Sequence, residues 1–263
     1  DYDYIHSNTQ EDWNAFINAI DPQSGDIIFD GAGGYGEKKK KILNKNKNVD
    51  IYVVDLSETQ LNRLKQKNVL KENRIILGDI RDTKLPNNFF DICVIKMGIH
   101  EVHKEEQQKI FNEMYRILKK GGKFITWELA LTEDNQKIFQ DVIKEKDVLS
   151  GFDLLAKDRY FPRHDETLSY FENSGFTDTK DVYTKAYKIK PMLRLHELTS
   201  KERADGKQNE DELKQLGAQR AIQLADYIRK RIPDGTKDSI KFRDEGNINV
   251  EFEVNKKIYI GYK

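Results

Sequence analysis

The chain has 263 residues, with 45 Lys+Arg against 45 Asp+Glu and a formal net charge of zero at pH 7. That balance supplies no overall field to draw in nucleic acid or an anionic membrane, and no apolar run approaches the ~20 residues that span a bilayer. Charged residues make up 34% of the chain, which leaves a polar surface around a core of ordinary size. The single cysteine, Cys93, lies in the apolar run Ile92-Cys93-Val94-Ile95. It excludes an internal disulfide, reads as a buried inert thiol, and sets a cytoplasmic location as the expectation.

Trp13, Phe16, Ile17 and Ile20 recur at helical spacing, with Thr9 and Asp12 at the start of that helix. A strand is expected at 26–30, then a glycine loop, then a helix at 36–45 whose run Lys38–Lys41 reads as solvated surface. Ile51-Tyr52-Val53-Val54-Asp55 reads as a second strand, and Ser57 caps a helix at 58–67. Residues 74–79 give a third strand with its exit loop, and 90–95 a fourth. A helix carrying Ile110, Met114, Ile117 and Leu118 follows, with Gly121-Gly122 as its C-cap, and 123–128 form a fifth strand. Beyond 130, helices are expected at 133–147, 165–174 and 209–231, and a strand at 180–188. Residues 250–254 and 258–262 read as a terminal hairpin turning at Asn255-Lys256-Lys257. Short apolar strands alternating with helices imply α/β architecture: a Rossmann-like, doubly wound sheet, mostly parallel, with an antiparallel C-terminal strand pair and helical insertions. The expected division is an N-terminal helical lid at 1–24, a cofactor-binding core at 25–190, and a helical insertion with the terminal hairpin at 191–263.

In such sheets ligands bind beyond the C-terminal strand ends. Asp30 ends the first strand, Asp55 the second, Asp79 follows the third, and Lys96-Met97-Gly98-Ile99-His100 follows the fourth. Gly31, Gly33 and Gly36 have the G-x-G-x-x-G spacing of a nucleotide-binding turn. Asp55, 19 residues after Gly36, is placed to accept from both hydroxyls of a ribose. Gly78-Asp79-Ile80 suits an adenine, with the carboxylate accepting from the exocyclic amine and the Ile80 N–H reaching a ring nitrogen. Asp30 discriminates among ligands: a carboxylate at the loop mouth repels a diphosphate and welcomes an ammonium. S-adenosylmethionine carries an ammonium, a sulfonium and an adenosine, and so matches all three acids.

At this point the chain resembles the class I S-adenosylmethionine-dependent methyltransferases over about residues 25–130. Asp30-Gly31-Ala32-Gly33-Gly34-Tyr35-Gly36 matches that family's acidic glycine loop, with Ala32 in place of its first glycine. Val53-Val54-Asp55-Leu56-Ser57 matches the ribose segment and Gly78-Asp79-Ile80 the adenine segment. Glu113-x-x-Arg116-Ile117-Leu118-Lys119-Lys120-Gly121-Gly122 is similar to the signature before the fifth strand, with Lys120 where proline is usual. The resemblance implies S-adenosylmethionine as cofactor, held by Asp30, Gly31, Ala32, Gly33, Gly34, Asp55, Leu56, Asp79, Ile80, Lys96 and Met97. It implies methyl transfer to an oxygen, nitrogen or carbon of a small molecule.

His100 is the candidate base, needed only if the acceptor must lose a proton; a structural histidine is the alternative. His100 and His103 have no evident third partner, so no metal site is expected. Acceptor contacts are sought in 2–13 and in 152–164, with Tyr160, Phe161 and His164 as candidates. Segment 190–238 reads as a cap over the site, a homodimer interface or an ordinary core face. Three other readings stay open: an RNA or protein methyltransferase, an NAD-dependent oxidoreductase, and a binding module without catalysis. No membrane or nucleic-acid partner is expected.

Overall fold

The computed structural model describes residues 8–34, 36–153, 155–206, 208–234 and 240–263. Residues 2–7 of the expected lid stretch lie outside them. The elements are α1 Gln10–Ile20, β1 Ile27–Gly31, α2 Glu37–Lys45, β2 Asp50–Asp55, α3 Glu58–Gln66, β3 Ile75–Leu77, β4 Phe90–Lys96, α4 Lys104–Ile117, β5 Leu118–Ala130, α5 Glu133–Leu149, α6 Leu155–Asp158, α7 His164–Asn173, β6 Thr177–Ile189, α8 Ser200–Asp205, α9 Glu210–Arg231, β7 Phe242–Asp244 and β8 Val250–Tyr262.

The strand order is β3-β2-β1-β4-β5-β8-β6, with β7 paired to β8. β3, β2, β1, β4 and β5 pair in parallel. The end of the chain runs the other way: Gly121 N–H donates to Lys263 O at 2.8 Å, and Lys263 N–H to Gly122 O at 2.9 Å. The order reverses between β1 and β4, which opens a crevice at their C-terminal ends.

Asn255-Lys256-Lys257 is not a turn. β8 runs straight through it, with Lys256 buried and Lys257 paired to Asp181 at 2.6 Å. The hairpin turn lies earlier, between β7 and β8, where Gly246 and Asn247 take φ of +87° and +46°. Polar residues alone suggested the wrong corner; the left-handed positions mark the real one. Gly121-Gly122 also differs from expectation. α4 ends at Ile117, and the glycines sit in an irregularity of β5, where the β4 register jumps from Phe90↔Leu118 to Ile92↔Lys123. Gly121 has φ +80°, and a Cβ on Gly122 would lie 2.9 Å from Asp91 O.

Two compact units divide the chain. One comprises 9–129, 164–185 and 256–263; the other comprises described residues of 130–163 and 186–255, with Asn8. In the first unit, α1 starts with a reciprocal Thr9/Asp12 capping box and buries Trp13, Phe16, Ile17 and Ile20. Trp13 and Phe16 lie 6.0 and 5.5 Å from the Trp127 ring, so this helix is a layer of the core. Asp12 is buried beneath it, accepts from the Tyr183 hydroxyl at 2.7 Å and pairs with Lys185.

In the second unit, Phe139 packs on Phe161, Tyr187 and Phe252 at ring distances of 5.0, 6.3 and 6.1 Å. α9 buries Leu213, Leu224 and Ile228, as an ordinary core helix does, while Ile222 of the same expected face is exposed. No helix among the described residues is long and apolar enough to cross a membrane.

Candidate active site at the end of the first four strands

Every expected cofactor residue belongs to the first unit and comes from the ends of β1, β2, β3 and β4. The glycines of the loop serve different needs. A Cβ on Gly33 would lie 2.5 Å from Val53, and one on Gly31 2.7 Å from Phe29, so both are small because β1 and β2 crowd them. Gly34 has φ +53° and open space around the Cβ position. This is the point where a ligand can approach the main chain. Gly34 N–H donates to Asp55 Oδ2 at 2.9 Å, and Ser57 N–H to Asp55 Oδ1 at 2.8 Å. The half-buried Asp55 carboxylate is thereby held rigid, with lone pairs remaining for hydroxyl donors. Leu56 beside it is 65% exposed, an uncovered apolar surface at the mouth.

Asp30 is placed differently from expectation. Its side chain is fully buried, and Lys38 Nζ lies 2.7 Å from Oδ1. The same ammonium donates to Gly31 O at 3.2 Å and Ala32 O at 3.3 Å. Burial pushes the Asp30 carboxyl up, against the pull of Lys38 and Lys39. The loop mouth is therefore not a bare acid, and repulsion of a diphosphate does not discriminate here.

The lysine run, read as solvated surface, divides four ways. Lys38 reaches Asp30, and Lys39 is buried and pushed down to about 8 by desolvation. Lys40 is exposed, and Lys41 sits 4.9 Å over the Trp13 ring.

Asp79 is also engaged. Arg81 Nε donates to both of its oxygens at 2.9–3.0 Å, and this pairing holds the carboxyl below the usual range. Ile80 is buried against the first loop, its Cγ2 3.2 Å from a Cβ placed on Gly31. Lys96 ends β4 between the rings of Trp13 and Trp127, at 5.1 and 5.2 Å, and burial pushes it down to about 8. Met97 has φ +52° and Ala32 φ +48°, so two residues with side chains hold left-handed backbone at the crevice. Ala32 leaves no room opposite: a Cβ on Gly98 would lie 2.6 Å from the Ala32 methyl.

His100 is buried and bonds Glu128 Oε1 through Nδ1 at 2.6 Å, with Glu101 Oε1 3.2 Å from Nε2. Burial alone lowers an imidazole's affinity for protons, but the two carboxylates outweigh it and raise His100 to about 9. Both ring nitrogens face carboxylates, an arrangement that suits the structural alternative for His100. The fully buried Glu128, missed in the sequence, organises this turn. It accepts from Ile99 N–H at 3.1 Å and Leu129 N–H at 3.2 Å as well as from His100. Its signal was a carboxylate inside the apolar strand Trp127-Glu128-Leu129. Because the folded imidazole binds its proton more tightly than the unfolded one, the pair stabilises fully below pH ~6.5 and loses its effect as pH rises through about 9. Urea titrations between pH 6 and 10 are expected to show that loss, at most about 3 kcal/mol, and a His100→Asn variant is expected to lack it.

Of the acceptor candidates, Phe161 is buried on Phe139 inside the second unit, and half-buried Tyr160 precedes it there. His164 stacks on Tyr259 at 5.6 Å and bonds its hydroxyl at 3.0 Å in the first unit. Among the described residues, no cluster of three or more His, Cys, Asp or Glu is arranged to hold a metal.

The glycine loop around the Lys38 ammonium and the aspartate at the end of β2 stand at the switch point of a mostly parallel sheet, the Rossmann-like fold that class I S-adenosylmethionine-dependent methyltransferases share. Lys38 serves as a stand-in ion, and the residues present fit that cofactor. Residues 30–126 match the methyltransferase domain family.

The chain is 29% identical over 154 residues to the chloroplastic 2-methyl-6-phytyl-1,4-hydroquinone methyltransferase of Arabidopsis thaliana, covering 58% of this chain and 40% of that protein. It is 28% identical over 183 residues to the ubiquinone/menaquinone biosynthesis C-methyltransferase UbiE of Rickettsia bellii, covering 62% and 73%. A crystal structure from Bacillus halodurans superposes with a TM-score of 0.72 at 17% identity, covering 96% of this chain and 99% of that one, and shares its fold.

Proposed function

We propose that this protein transfers the methyl group of S-adenosylmethionine to a small molecule, with an electron-rich ring carbon of a hydroquinone as the acceptor. The single observation that carries the reading is the methyltransferase domain at 30–126 with Asp55 braced and open at the end of β2. The acceptor class rests on relatives named for hydroquinone and quinone-pathway methylation.

When bound, S-adenosylmethionine supplies an electrophilic methyl on a good neutral leaving group, so alignment provides much of the rate. Asp55 would hold the ribose hydroxyls, Gly34 would admit the cofactor against the main chain, and Leu56 and Ile80 would wall the adenine. A ring carbon activated by its own hydroxyls attacks the methyl as S-adenosylhomocysteine leaves. The C–H bond at that carbon then breaks with its proton passing to solvent water, so a buried base is not required, which agrees with His100 raised to about 9. His100 and Glu128 would hold the β4–α4 turn in shape for the acceptor. The buried single thiol, Cys93, suits the reducing cytoplasm.

The test is release of S-adenosylhomocysteine with a panel of alkyl hydroquinones, phenols and primary amines, together with RNA and protein substrates. Turnover with a hydroquinone, and a new C–CH3 bond in the product, is the expected result. Turnover confined to RNA or protein would overturn the small-molecule reading.

A further inference from the structure

The cage at the end of β1 is lined by acceptors: the Asp30 carboxylate, Gly31 O and Ala32 O. Lys38 Nζ fills it, donating to the two carbonyls and lying 2.7 Å from Asp30 Oδ1 as an ion pair. The fit is local in origin. Lys38 is the second residue of α2, and helical side chains lean back toward the N-terminus, here over the glycine loop. A lysine in a first turn stands at the wrong end of the helix dipole, and burying an ammonium is costly unless it is fully paired. The cage is therefore what holds Lys38 in place.

S-adenosylmethionine carries its own ammonium on its amino-acid end. Asp30 is sealed beneath Lys38, with the side chains 0% and 6% exposed. An incoming ammonium cannot reach Asp30 past it, and two like charges cannot share the cage. The geometry points to Lys38 as an internal occupant of the cofactor's ammonium subsite, displaced when the cofactor binds. Lys38 thereby sets cofactor affinity through the amino-acid end alone, leaving the adenosine end to Asp55. This inference rests on the cofactor assignment above, and its test separates the two.

The experiment is calorimetric binding of S-adenosylhomocysteine, which has the ammonium, and of 5′-methylthioadenosine, which lacks the amino-acid end. In Lys38→Met the first ligand is expected to bind at least about fivefold tighter (roughly 1 kcal/mol), with the second changed less than about twofold. Unchanged or weaker binding of S-adenosylhomocysteine would overturn the inference. If neither ligand binds the wild-type protein, the cofactor assignment fails instead.

Should Lys38→Met not fold, the wild-type protein carries the test. Acetylation of the Lys38 amine, followed by mass spectrometry, is expected to quicken at least about threefold with S-adenosylhomocysteine and not with 5′-methylthioadenosine. A rate unchanged or slowed by S-adenosylhomocysteine would overturn the inference.

Discussion

Glu128→Ala is expected to lower the melting temperature of the protein by about 8 °C or more. The substitution strips a buried imidazolium of its nearest carboxylate and leaves the N–H groups of Ile99 and Leu129 without their acceptor. Breaking one side of a buried pair costs about 3–5 kcal/mol, and in a chain of this size each kcal/mol moves the midpoint by roughly 2–4 °C. Scanning calorimetry at pH 7 measures it. The double variant Glu128→Gln/His100→Asn removes both charges and keeps polar groups at both places, so it should recover most of the loss. A Glu128→Ala midpoint within about 2 °C of wild type would mean that the pair does not organise the β4–α4 turn.

The second large effect is on binding. Asp55→Ala is expected to weaken S-adenosylhomocysteine at least tenfold in calorimetry. Charge-assisted hydrogen bonds contribute ~1.5–3 kcal/mol each, and one such bond to the ribose accounts for the tenfold. The variant also frees Gly34 N–H and Ser57 N–H, so the loop itself loosens. Asp55→Asn separates the two roles. It retains an acceptor for the loop amides but loses the charge, and should sit between wild type and alanine. Full affinity in Asp55→Ala would remove this residue from the cofactor site.

What was legible in the chain was local. The loop from Asp30 to Gly36 and the acid at Asp55 announce themselves by spacing along one strand–loop–helix unit, and each lies at a strand end as read. The class of fold was equally plain, because apolar strands and helices alternate through the first half. What could not be read depends on contacts across space. Lys38 looks like any lysine in a charged run until the helix folds it over Asp30. That contact also removes the electrostatic argument against a dinucleotide, so the cofactor class stands on the domain match instead. Nothing in the sequence says that Arg81, two residues on, turns back onto Asp79. The polar run Asn255-Lys256-Lys257 reads as a break in the terminal strand, whereas Asp181 on the sheet satisfies the Lys257 ammonium.

The methyl of Ala32 and the bare α-carbon of Gly98 occupy one small space that has room for a single side-chain carbon. The two positions can therefore change only as a couple. Glycine at the first licenses alanine at the second, and alanine at both forces the crevice apart. Relatives of this chain should keep that exchange rule even where the rest of the loop has drifted.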